Sequence, residues 1–232
     1  MRKTKFANDY YYHVYNRGTD KRNIFLLDSN YVRFIHGLYE FNNANPVSSL
    51  TRNIVRGSTS YIARDTLVRK PRDLLVEIIA FCLMPNHFHL ILKQLKEGGI
   101  AKFMQKMGTG YAMYFNQKNK RNGVLFQGKF KAILIDDDEY FLPLINYIHL
   151  NPVELIEPDW KEEGIKNRKN TNQFLEKYRW SSYPDYVGIK NFPSVISKEF
   201  IQNYFKTEES LKYFTNQRLN TELESIKDLI LE

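Results

Sequence analysis

The chain has 232 residues, 43% of them hydrophobic and 26% charged, which suits one generous globular domain with appendages and excludes a disordered chain. A net charge of +8, with a pI near 9.3, favours a polyanionic partner, nucleic acid first. The single cysteine, Cys82, excludes an internal disulfide and fits a reducing cytoplasm, and no apolar run approaches a membrane span. The basic start, Met1 to Lys5, is followed by no apolar signal region.

Tyr10 to Asn16 alternates and is rich in β-formers, which predicts a first strand with His13 and Tyr15 on one face. Arg17 to Arg22 follows as a cationic turn that either grips phosphates or is simply solvated. A helix is expected from Asp28 or Ser29 to about Phe41, with Tyr31, Phe34, Ile35 and Leu38 on its apolar face. Asn42 to Asp73, with Pro46, Gly57 and Pro71, reads as a long insertion, either a solvated loop or a nucleic-acid-binding arm.

Val76 to Lys93 reads as two strands broken at Pro85-Asn86. Gly98-Gly99 leads into a second helix ending near Lys118, and Val124 to Ile135 is expected to be a strand carrying Lys129 and Lys131. Asp136 to Asp138 end it and cap a further helix, a reading preferred to an acidic metal site because negative charge suits a helix N-terminus. That helix carries Pro143 and is expected to stop at Pro152, because the residue before proline avoids the α region. Beyond Trp160 the chain turns polar, then offers the aromatic and basic element Tyr178 to Tyr183, a short helix over Ser197–Phe205 and one more helix in the tail from Thr207 to Glu232. The order strand, helix, strand, strand, helix, strand describes an α+β, ferredoxin-like βαββαβ sandwich with helices on one face of an antiparallel sheet, plus an added helix and C-terminal helices.

Two stretches carry chemistry. In Met84-Pro85-Asn86-His87-Phe88-His89-Leu90 the histidines stand two apart, so on a strand both project from one face. Such a pair can hold one divalent metal, or it can be two half-buried strand histidines. In Tyr147-Ile148-His149-Leu150-Asn151-Pro152-Val153 the tyrosine and Asn151 lie one helical turn apart on a shared face, while His149 points elsewhere. Glycine-rich phosphate loops, paired-cysteine zinc spacings and Ser-His-Asp signatures are absent, and no organic cofactor is expected.

Together these stretches resemble the single-tyrosine HUH transposases of the IS200-like superfamily, in particular the REP-associated tyrosine transposases. His13-Val14-Tyr15-Asn16-Arg17-Gly18, Gly123 to Lys131 and Trp180-Ser181-Ser182-Tyr183 agree, so the resemblance spans roughly Tyr10 to Gly188. The expected division is a catalytic domain over 1–153, with 42–73 inserted, and a mostly helical extension over 154–232; the resemblance carries nothing over to 42–73 or to the tail beyond Gly188. It implies metal-assisted strand transfer on single-stranded, hairpin-bearing DNA, with Tyr147 as nucleophile and His87, His89 and Asn151 as ligands of Mg²⁺ or Mn²⁺. Arg17, Lys21, Arg22, Lys129 and Lys131 are the expected DNA contacts. A homodimer is possible, with the tyrosine helix serving either its own site or its partner's. The competing readings are a non-catalytic or domesticated DNA-binding protein on this fold, and a histidine-triad hydrolase. The second wants another alternating histidine where Ile91 stands.

Overall fold

The computed structural model describes residues 5–45, 72–197, 199, 200 and 203. Period-two alternation sets its sheet. Strands β1 (Tyr11–Arg17), β2 (Val76–Met84), β3 (His87–Gln94) and β4 (Lys131–Ile135) pair in the order β2-β3-β1-β4, every pair antiparallel. Helices α1 (Asp28–Glu40) and α2 (Gly99–Lys118) complete the βαββαβ order. The expected fold class is the observed one.

One face of the sheet is apolar and takes both helices. Phe34 of α1 meets Phe88 of β3 at 5.0 Å between ring centroids and Tyr111 of α2 at 5.1 Å. All three rings are buried, each contributing about 1.5–3 kcal/mol relative to exposure. Tyr111 also donates its hydroxyl to the Ile24 carbonyl at 2.6 Å, so α2 is tied to the loop before α1. That loop fixes the β2–β3 hairpin. The Pro85 carbonyl accepts from the backbone N–H groups of Ile24 and Phe25, and the Asn86 carbonyl from that of Gly18. Gly18 is required there: a Cβ on it would stand 2.2 Å from the Arg22 carbonyl oxygen.

The opposite face receives helix α3 (Asp138–Leu150), through contacts such as Tyr11 on Phe141 at 4.8 Å. Asp137 caps α3 by accepting from the Glu139 N–H at 2.8 Å, as the capping reading expects. Pro143 stands inside α3 and deletes one backbone hydrogen bond. Pro152 ends the α-helix but not the helical path. A 3₁₀ turn continues over Asn151–Leu155 with proline at its start, and Asn151 keeps α-region dihedrals (φ −48°, ψ −42°).

One expectation shifts, and two fall mostly outside the described residues. The strand foreseen over 124–135 shortens to Lys131–Ile135, because Gly128 adopts φ +81° and turns the chain out of the ladder. The outer part still reaches the end of β1, where Gln127 N–H donates to the Arg17 carbonyl and Phe126 bridges to Gly18 just beyond it. The insertion 42–73 lies outside the described residues except for 42–45, 72 and 73. So do the helices expected beyond Ser197, except for helical positions 199, 200 and 203.

Past α3 come α4 (Trp160–Glu163), α5 (Arg168–Lys177) and α6 (Tyr183–Tyr186). Residues 178–186 work as an edge clamp on β2. Leu83 N–H donates to the Trp180 carbonyl, and Ser182 N–H to the Phe81 carbonyl. Ser182 Oγ accepts from the Phe81 N–H at 2.9 Å, and the Tyr178 and Tyr186 hydroxyls donate to Leu83 O and Ile79 O. An open strand edge is a template for unwanted pairing, and this segment covers it. His149 of α3 joins the clamp through Nε2 to Ser182 Oγ at 2.8 Å.

Candidate active site

The site lies where β1, β3 and α3 cross, on the sheet face away from α1 and α2. Register sets its layout. Tyr15 stands opposite His89, Arg17 opposite His87 and, on the other side of β1, Lys131 opposite Tyr15. His87 and His89 therefore do project together, with ring centroids 5.0 Å apart and planes nearly perpendicular. Phe88 between them turns into the helix-covered core.

Tyr147 of α3 brings its ring edge-on to His89 at 5.9 Å. Asn151, one turn on, donates its side-chain Nδ2 to the Tyr147 carbonyl at 2.9 Å. This leaves Asn151 Oδ1 buried with no hydrogen-bond partner among the described residues, and His89 Nε2 is in the same state. Two buried acceptors without donors are costly unless something fills them. An imidazole nitrogen and an amide oxygen are both ordinary divalent-cation ligands, so these atoms fit a metal. No group of three or more His, Cys, Asp or Glu side chains that could hold an ion occurs among the described residues, so any bound cation would rely on the amide oxygen and water beside the imidazoles.

The surroundings keep His89 neutral. Burial pushes its pKa well below the ordinary value, and the nearby His87, His13 and Lys161 push the same way. A neutral ring is the form that ligates. Tyr15 lies within stacking range of both His13 and His89, at 5.0 and 5.7 Å. Its phenol pKa is raised by burial, against the pull of Arg17, so it stays protonated.

Three contributors carried no assigned role in the sequence reading. His13 Nε2 lies 2.9 Å from His89 Nδ1. Asn86 Oδ1 contacts His87 Nδ1, while Asn86 Nδ2 donates to the Lys21 carbonyl. Lys161 of α4 holds its Nζ 5.4 Å from the centre of the Tyr147 ring and pairs with Glu154 at 3.4 Å. The alternation of His13 with Tyr15, and its place in the stretch His13 to Gly18, hinted at the first. Lys161 gives no motif signal, because it comes from a polar stretch beyond Pro152.

The expected DNA contacts divide. Arg17 donates Nε to Gln127 Oε1, at the end of β1 beside His87. Lys21 and Arg22 are exposed in the turn after β1, where Asp20 and Lys21 both have φ +55°. Arg22 is partly occupied, pairing with Asp20 at 3.0 Å. Lys129 and Lys131 are exposed, and Lys131 holds its Nζ 5.8 Å from the Tyr15 ring, on the histidine face. Lys129 instead rims an apolar cavity of about 950 Å³ that Phe88, Met104 and Phe126 line on the helix side. Nothing described is long and apolar enough to be a membrane-crossing helix.

A family model described as "Transposase IS200 like" matches residues 7–151. No curated protein matches the chain. Among solved structures it is similar to a REP-associated tyrosine transposase bound to a REP hairpin, at 14% identity and a TM-score of 0.48, over 85% of this chain and 90% of that one.

Proposed function

The chain belongs to the family of IS200-like transposases, and we propose that it cleaves and rejoins single-stranded, hairpin-bearing DNA through a covalent link to Tyr147. The observation that carries the reading is the meeting of Tyr147 with His89, side chains from separate elements at 5.9 Å, beside the buried acceptor Asn151 Oδ1.

The Tyr147 hydroxyl attacks a backbone phosphorus. It loses its proton, the P–O3′ bond breaks and the departing O3′ gains a proton. The products are a 5′-phosphotyrosine and a free 3′-OH. The link conserves the bond energy, so a 3′-OH of another strand reverses the step without ATP. His87, His89 and Asn151 would hold Mg²⁺ or Mn²⁺, which when bound neutralises phosphate charge and aligns the group for displacement. Arg17 and Lys131 flank the histidines on the same face and would take the adjoining phosphates.

Tyr147 is 1% exposed. Attack therefore requires the cover over its ring, which includes Lys161, to move aside. That burial is also what favours the second reading, a DNA-binding protein on this fold with a closed, inactive site.

Incubating the protein with hairpin-bearing single-stranded DNA and Mn²⁺, then digesting it for mass spectrometry, separates the two. The expected result is a DNA adduct on Tyr147, lost in Tyr147→Phe and in excess chelator. An adduct on another residue, cleavage by the phenylalanine variant, or binding with no adduct under any condition would reject the nucleophile.

A further inference from the structure

Each histidine of the pair is gripped on its Nδ1 by a side chain that the catalytic reading does not use. We propose that Asn86 and His13 set the tautomers of His87 and His89, so that both rings carry their proton on Nδ1 and present a bare Nε2 to the cation site. This rests on the metal-assisted reading above.

The argument for Asn86 is one of donors and acceptors. Its Nδ2 donates to the Lys21 carbonyl at 3.3 Å, and a carbonyl can only accept. That orients the amide and leaves Oδ1 on His87 Nδ1. An amide oxygen also only accepts, so His87 Nδ1 must carry the proton. The lone pair of the neutral ring is then on Nε2.

The His13–His89 contact, Nε2 to Nδ1 at 2.9 Å, could run either way by geometry alone. Burial decides it. Were His13 the donor, the His89 proton would sit on Nε2, where the nitrogen is buried with no acceptor among the described residues. Orphaned buried N–H groups are rarer than under-satisfied acceptors. With His89 donating from Nδ1, the atom left over is a lone pair, which a cation would satisfy. Ligating histidines commonly donate their other nitrogen to such a partner, which fixes ring orientation and raises basicity. A histidine as that acceptor is unusual, and His13 is fully buried and reaches His89 only because β1 pairs with β3.

Long-range ¹H–¹⁵N correlation spectra of the metal-free protein at pH 7.5 read the tautomers directly. Both rings are expected to be protonated on Nδ1, and a proton on Nε2 of either would overturn the assignment. A Mn²⁺ titration followed by electron paramagnetic resonance gives the second readout. His13→Leu and Asn86→Leu are expected to weaken binding about 10–100-fold. His13→Gln and Asn86→Asp, which keep an acceptor oxygen, should recover most of it. Folded leucine variants that bind Mn²⁺ as tightly as the natural protein would refute the proposal. If the natural protein binds no Mn²⁺, the metal reading falls, and the spectra still decide the tautomers.

Discussion

The buried neutral imidazole of His89 makes stability depend on acidity, in a direction the structure determines. An unfolded histidine titrates near 6.5. In the fold, burial first and then His87, His13 and Lys161 hold the His89 pKa well below that value. The unfolded chain therefore binds a proton in a range where the folded one does not. Stability from this site is fully present above about pH 6.5 and falls as the medium is acidified towards the folded pKa. Each pH unit between about 6.5 and the folded pKa costs about 1.4 kcal/mol. Urea unfolding at half-unit steps, on the natural protein and on His89→Gln, measures it. His36, also depressed by burial, contributes with the same sign but is common to both proteins and cancels in the difference. The difference between the two curves should grow as the pH falls below about 6.5, by about 1.4 kcal/mol per pH unit until the folded pKa is reached. Parallel curves would mean that His89 titrates normally and that the site is wetter than its 2% exposure implies. Saturating Mn²⁺ should steepen the natural curve alone, because a ligating imidazole must be neutral.

Ser182→Ala deletes the oxygen that accepts from Phe81 N–H at 2.9 Å and contacts His149 at 2.8 Å, inside a buried clamp. The orphaned groups should cost about 2–4 kcal/mol in urea unfolding, against under about 1 kcal/mol for Ser181→Ala, whose two contacts are both 3.3 Å. Equal losses would deny Ser182 its special place. DNA affinity should fall steeply with salt. If Arg17, Lys21, Arg22, Lys129 and Lys131 each meet a phosphate of a single strand, the slope of log K against log salt is about −3.5, a loss of roughly 100-fold between 50 and 200 mM. Lys131→Ala should reduce the slope by about 0.7 in a fluorescence anisotropy titration. A flat response would make the basic surface incidental.

What could be read along the chain was local. Alternation predicted that His87 and His89 share a face, and a four-residue spacing predicted that Asn151 lies over Tyr147. Both relations need only the strand and helix periods, and both hold in the fold. Local rules also misjudged two positions. Pro152 does not expel Asn151 from the α region, because the chain continues as a 3₁₀ turn with proline at its start, where a missing N–H costs nothing. Gly128 delays the start of β4, and its positive φ is visible only in three dimensions.

The rest of the site depends on register. His13 reaches His89 across 76 residues of sequence, and Ser182 reaches Phe81 across 101. No period or motif encodes such a pairing; it follows from which strand lies beside which, and a slip of one residue would turn His13 into the opposite layer. The same logic explains why the Trp180-Ser181-Ser182-Tyr183 element, aromatic and flanked by Arg179, serves the edge of β2. Its backbone and hydroxyls match what that edge leaves unpaired. The clamp anchors α3 as well, through His149, on the helix side away from Tyr147. The helix that bears the tyrosine is thus fixed at its far face, while the near face is covered by Lys161, a residue beyond the matched 7–151. Exposing Tyr147 therefore falls to the Lys161 side chain, since α3 is held by the sheet and by Ser182 and α4 is anchored by the buried Trp160.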